Sequence, residues 1–127
     1  MQYTQLPEAE FTVMQEIWKQ DTPVSGSEMT DILYPTKGWK HQTVYTLLNR
    51  LVKKGFLTSE KQGKERYYQS LVCQEDYLRQ ETERFVEQFH KNSIVGLMST
   101  FVSNKSIDDA ELSELSAWMD ERKAERR

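Results

Sequence analysis

Apolar residues recur at helical spacing along most of this chain, and the recurrence gives way only around residues 56–70 to short segments rich in aromatic and β-favouring residues. Phe11, Met14, Ile17 and Trp18 form the first stripe. Pro7 suits the first position of that helix, which is expected to end near Lys19. Residues 20–23 read as a turn and Val24 as extended. Ser25 and Glu28 then stand in the relation of a capping box, with Val24 and Met29 placed to staple the entry. The second helix carries Met29, Ile32 and Leu33 and is predicted to break at Tyr34–Pro35, because a residue before proline is pushed out of the helical region.

The third helix is the most informative. Val44, Leu47, Leu48, Leu51 and Val52 make one buried stripe, which leaves Gln42, Thr43, Tyr45, Thr46, Asn49, Arg50 and Lys53 on the other side. These are groups suited to base edges or phosphates, with no carboxylate among them to repel a phosphate backbone. Gly55 is predicted to stop the helix as a left-handed residue, with Lys53 and Lys54 at its negative end and Phe56 folding back on Leu51. Residues 56–61 and 66–70 then read as two strands joined by a turn at Gln62, Gly63 and Lys64. Three helices followed by a hairpin predict a mainly α fold with a small β-hairpin, a winged helix-turn-helix domain over residues 1–72. In that arrangement the third helix enters the major groove and the hairpin, or wing, lies along the backbone. The DNA-binding set is expected to be Lys40, Gln42, Thr43, Tyr45, Thr46, Asn49, Arg50 and Lys53, with Lys64 and Arg66 from the wing.

Helical spacing resumes beyond Leu71. Tyr77, Leu78, Phe85 and Phe89 fall in one run, Ile94, Leu97, Met98 and Phe101 in a second, and Leu112, Leu115, Trp118 and Met119 in a third that Asp108 and Glu111 can cap. So few residues cannot bury three stripes against one another. Residues 73–127 are therefore expected to form a helical dimerisation domain, these side chains meeting a second copy, with residues 121–127 as a frayed charged tail.

The net charge of −3 sits poorly with a nucleic-acid partner until its distribution is considered. From Thr36 to Ser70 the basic residues Lys37, Lys40, Arg50, Lys53, Lys54, Lys61, Lys64 and Arg66 face only Glu60 and Glu65. Carboxylates dominate on both sides of that segment, and such segregation is an electrostatic footprint. The single Cys73, expected to be buried or half-buried, excludes an internal disulfide and a multi-thiolate metal site. No cofactor or metal is implied. No apolar run approaches a membrane span and no export signal stands at the N-terminus, so the expected location is cytoplasmic. His41 and His90 lie in no catalytic pattern, and neither a nucleophile elbow nor a phosphate loop is present, which argues against an enzyme. The competing reading is a winged-helix module for protein assembly without DNA, which would want an apolar or acidic third-helix face.

One set of positions adds a resemblance. Leu6, Glu10, Val13, Met14 and Trp18, then Thr43, Val44, Thr46, Leu47, Leu48, Arg50, Leu51, Lys54, Gly55 and Leu57, and finally Arg66, Tyr67 and Tyr68 carry it. Over nearly its whole length the chain resembles the penicillinase and methicillin-resistance repressors of Gram-positive bacteria and their copper-responsive CopY relatives. The resemblance implies a homodimeric repressor on an inverted-repeat operator with TACA/TGTA-like half-sites. It also implies release when a membrane-bound sensor protease cuts the dimerisation domain, at a bond corresponding to Thr100–Phe101, where the family has asparagine before the phenylalanine. Phe101 also has a plain structural reading, which the spacing favours over a cleavage site, as the last apolar residue of the helix begun at Ile94. Pro7 and Lys40 replace the family's helix caps, and the cysteine pairs of the copper-responsive branch are absent, which removes copper sensing by that route.

Overall fold

The computed structural model describes residues 2–91 and 93–126. Its elements run α1 (Glu8–Trp18), β1 (Val24–Ser25), α2 (Gly26–Lys37), α3 (His41–Lys53), β2 (Leu57–Gln62), β3 (Glu65–Ser70), α4 (Gln74–His90), α5 (Ile94–Ser103) and α6 (Asp109–Glu125). Two compact units divide the chain, Met1–Glu81 and Thr82–Arg127, the division falling inside α4.

In the first unit local chemistry sets most boundaries. α1 starts after Pro7 without a side-chain cap. The Ser25 capping box is complete, its hydroxyl accepting the Glu28 N–H and the Glu28 carboxylate accepting the Ser25 N–H, a cap worth about 1 kcal/mol. α2 departs from expectation: it runs through Pro35 and ends only at Gly38, at φ 66°, whose N–H donates to the Tyr34 carbonyl at 2.8 Å. The proline forfeits one backbone bond, to the carbonyl of exposed Asp31, while Met29 and Leu33 stay fully buried and hold the helix in place. α3 closes as expected in a Schellman motif, with Gly55 at φ 82°, Gly55 N–H to Val52 C=O and Phe56 N–H to Leu51 C=O.

The sheet is three-stranded, in the order β1-β3-β2 and antiparallel throughout, where a two-stranded hairpin was expected. Val24 pairs with Tyr68 and Ser25 with Tyr67, a strand too short for periodicity to reveal. Gln62 opposite Glu65 leaves Gly63 and Lys64 as a two-residue turn, and Gly63 at φ 66° occupies its first position as in a type II′ turn. Val13, Met14, Met29, Leu33, Val44, Leu48, Leu51, Phe56, Leu57 and Tyr68 fill the core. Glu10 is buried there too, at 3 % side-chain exposure, paired with Lys54 at the end of α3. Glu10 and Lys54, both in the pattern that carried the resemblance, are thus each other's partner.

Two sequence assignments change here. Tyr77, expected on the dimerising surface, belongs to the first unit's core, its ring 5.5 Å from Phe56 and 5.8 Å from Phe11 between centroids and its hydroxyl accepting the Leu6 N–H. The start of α4 packs as a fourth helix of this unit, so its stripe serves that core first. Cys73 is exposed, because Val72 takes the inward position in the link to α4.

The second unit is helical and capped: Ser93 accepts the Gly96 N–H at 2.9 Å and Asp108 the Glu111 N–H at 2.8 Å. Among its described residues only Val86 is buried. The charged tail is no frayed segment up to Glu125. It continues α6, held by Arg122, which bonds Glu125 and lies over the Trp118 ring at 4.7 Å. Arg127 lies outside the described residues. No helix of the described residues is long and apolar enough to cross a membrane.

Candidate nucleic-acid interface

α3 presents a continuous polar face. Gln42, Thr43, Thr46, Asn49, Arg50 and Lys53 are exposed along it, Lys40 is exposed at its start, and Val44, Leu47, Leu48 and Leu51 are buried behind. Lys40 caps nothing, so its ammonium is free to reach outward despite opposing the helix dipole. The Thr46 hydroxyl donates to the Gln42 carbonyl at 2.9 Å, which leaves its methyl and oxygen lone pairs to the outside. On the wing, Lys64 is exposed in the turn and Arg66 is exposed on β3, donating to Ser59 at 3.1 Å. Among the described residues no ion pair engages Lys40, Arg50, Lys53, Lys64 or Arg66. Unpaired cations on an exposed face keep their full attraction for phosphate.

Tyr45 differs from its neighbours. It is half-buried, its ring seated on Gly26 and its hydroxyl donating to Glu65 at 3.5 Å, so it braces the surface from within. Ser27 donates to the other oxygen of the same carboxylate at 2.7 Å. At the start of α3, His41 Nδ1 lies 3.0 Å from the Thr30 hydroxyl. Thr30 has already given its proton to the Gly26 carbonyl at 2.9 Å, so His41 is the donor and carries hydrogen on Nδ1. That bond fastens α2 to α3. None of Gly26, Ser27, Thr30, His41 and Glu65 stood in the expected site; an acid in a basic wing was the one signal that could have drawn attention to Glu65.

Below this surface Tyr68 is fully buried, and its hydroxyl finds no hydrogen-bond partner among the described residues. Burial pushes its phenol above the ordinary value, Tyr45 and Glu65 add to the rise, and Arg66 opposes it. Among the described residues no cluster of histidine, cysteine or carboxylates could hold a metal ion.

A family model described as penicillinase repressor matches residues 6–121. The chain belongs to the penicillinase repressor family. That family is one of transcriptional repressors and not of enzymes. The penicillinase repressor of Bacillus licheniformis is 29% identical over 119 residues, covering 94% of this chain and 92% of that protein. The methicillin resistance regulatory protein MecI of Staphylococcus aureus is 30% identical over 111 residues, covering 87% and 89%. Among solved structures, the DNA-binding domain of the repressor BlaI superposes with a TM-score of 0.54 at 34% identity, over 60% of this chain and 92% of that one. Monomeric Bacillus licheniformis BlaI in complex with the blaP half-operator gives 0.51, at the same identity and coverage. The fold is that of a winged helix.

Proposed function

We propose that this DNA-binding transcriptional repressor acts as a two-fold dimer on an inverted-repeat operator. α3 of each copy lies in a major groove with Gln42, Thr43, Thr46, Asn49 and Arg50 toward the bases, and Lys40, Lys53, Lys64 and Arg66 grip the flanking phosphates. The observation that carries the reading is the exposed polar face of α3, free of carboxylates and edged by cations that no ion pair engages among the described residues. The half-operator complex of BlaI supports the same use of the domain. An assembly module would want an apolar or acidic patch on that face.

Dimerisation is supported by the second unit's exposed side chains. Phe89, Ile94 and Trp118 are each more than half exposed, Phe85, Phe101, Leu112 and Met119 are also exposed, and Leu97, Met98 and Leu115 are half-buried, as expected of helices that need a second copy. Leu78, in the first unit, is exposed as well, and Val95 and Val102 join the set, unforeseen from spacing. Release follows a signal that alters or cleaves this region. The Thr100–Phe101 bond lies inside α5, with the Thr100 hydroxyl donating to the Gly96 carbonyl at 3.1 Å, so a sensor protease acting there must first open that helix locally.

Selection of bound duplexes from a random pool tests the function. Enrichment of an inverted repeat, TACA/TGTA-like, with half-sites about one helical turn or a multiple apart is expected. No enrichment, or a single asymmetric half-site bound by a sedimenting monomer at micromolar concentration, would overturn it.

A further inference from the structure

The wing carries an acid where a phosphate contact would want none. Glu65 opens β3 between Lys64 and Arg66, and a carboxylate turned outward there would repel the DNA backbone. It is held inward. One oxygen accepts the Ser27 hydroxyl at 2.7 Å and the other the Tyr45 hydroxyl at 3.5 Å, so α2, α3 and β3 meet on one side chain. Ser27 stands in the first turn of α2, where unpaired amides and the helix dipole favour an anion. Tyr45 has little freedom to leave: a Cβ on Gly26 would lie 2.3 Å from its ring, so the ring rests directly on the glycine backbone, and the His41 ring stands 5.6 Å away between centroids.

We propose that Glu65 is a positioning residue that clamps the wing to the recognition helix through Ser27 and Tyr45, and thereby sets the preference for operator over unrelated DNA. The inference rests on α3 and the wing being the DNA surface. Phosphate contacts fix the register of the recognition helix but carry no sequence information. A loosened wing therefore keeps its attraction for any duplex and loses the register that base readout needs, while losing the Glu65 charge makes non-specific binding stronger.

The test uses the full chain with Glu65→Ala, Glu65→Gln and Ser27→Ala, and two readouts. One is amide hydrogen exchange of residues 57–70 without DNA. The other is the affinity ratio between a duplex bearing an inverted TACA/TGTA repeat and its scrambled counterpart at one salt concentration. Glu65→Ala should speed hairpin exchange and lower the ratio about tenfold, the loss expected for a charge-assisted hydrogen bond. Glu65→Gln still accepts from Ser27 through its amide oxygen, so the ratio should stay within about twofold while both affinities rise. Ser27→Ala should lower the ratio with the charge unchanged. If Glu65→Ala and Glu65→Gln strengthen both duplexes alike, Glu65 acts only as a charge and the clamp is refuted. Unchanged hairpin exchange in Glu65→Ala and Ser27→Ala refutes it equally. Wild-type protein that bound neither duplex would defeat the DNA reading, and the exchange measurement would still decide the clamp.

Discussion

Neutralising the wing should change how steeply DNA binding depends on salt, by an amount that the ion pairs of the structure dictate. Each copy offers Lys40, Lys53, Lys64 and Arg66 to the phosphates with no carboxylate engaged among the described residues, whereas Lys54 is committed to Glu10. Eight such contacts in a dimer, at about 0.9 per phosphate, give a slope of log affinity against log salt of about −7, or roughly four orders of magnitude lost between 50 and 200 mM salt. Lys64→Gln removes one cation from each copy, so the slope should become shallower by about 2. Fluorescence anisotropy of a labelled operator duplex over a potassium chloride series measures this. Lys54→Gln is the internal control, since its ammonium already faces Glu10 and should leave the slope as it was. An unaltered slope in Lys64→Gln would take the wing turn off the backbone. A slope changed as much by Lys54→Gln as by Lys64→Gln would refute the reasoning from internal pairing altogether.

Much of the candidate interface was legible because α3 is amphipathic with little ambiguity: once Val44, Leu47, Leu48 and Leu51 are assigned inward, the exposed side follows from helical geometry. The same geometry fixes an angle but not a reach, which is why Tyr45 was read as a groove residue when its long ring in fact folds onto Gly26. The Ser25 capping box, the Asp108 cap and the Gly55 stop are local and were readable. The fate of Pro35 was not, because the rule for the residue before proline knows nothing of Met29 and Leu33, whose burial carries α2 on to Gly38. β1 exists only through its pairing with Tyr67 and Tyr68, a contact more than forty residues away. Tyr77 shows a further limit. A stripe tells which face of α4 is buried but not in which unit, and at that point α4 serves the first. Glu65 was visible only as a charge, since its partners Ser27 and Tyr45 come from two other elements.

Two stability predictions bear on the scaffold beneath the interface. Tyr68→Phe deletes a buried hydroxyl that has no partner among the described residues and should stabilise the first unit by up to about 1 kcal/mol in urea unfolding. Burial raises the Tyr68 phenol, so above its ordinary value of 10.0 the unfolded chain releases a proton that the folded chain keeps, and stability falls as pH rises toward the folded value; Tyr68→Phe should flatten that alkaline limb, and an unchanged limb would dissociate it from Tyr68. Lys54→Met leaves the Glu10 carboxylate buried and unpaired. A wholly buried pair broken on one side costs roughly 3–5 kcal/mol, and because the Lys54 side chain is 28 % exposed the expected loss here is about 2–3 kcal/mol. Urea unfolding in a Trp118→Phe background, read by Trp18 and Trp39 of the first unit, measures it. Glu10→Met combined with Lys54→Met removes both charges and should recover more than half of the loss, since an apolar pair of similar volume has no desolvation penalty to offset. If the double variant is as unstable as the two single losses added together, Glu10 and Lys54 are not coupled, and the pair does not fasten the end of the recognition helix to α1.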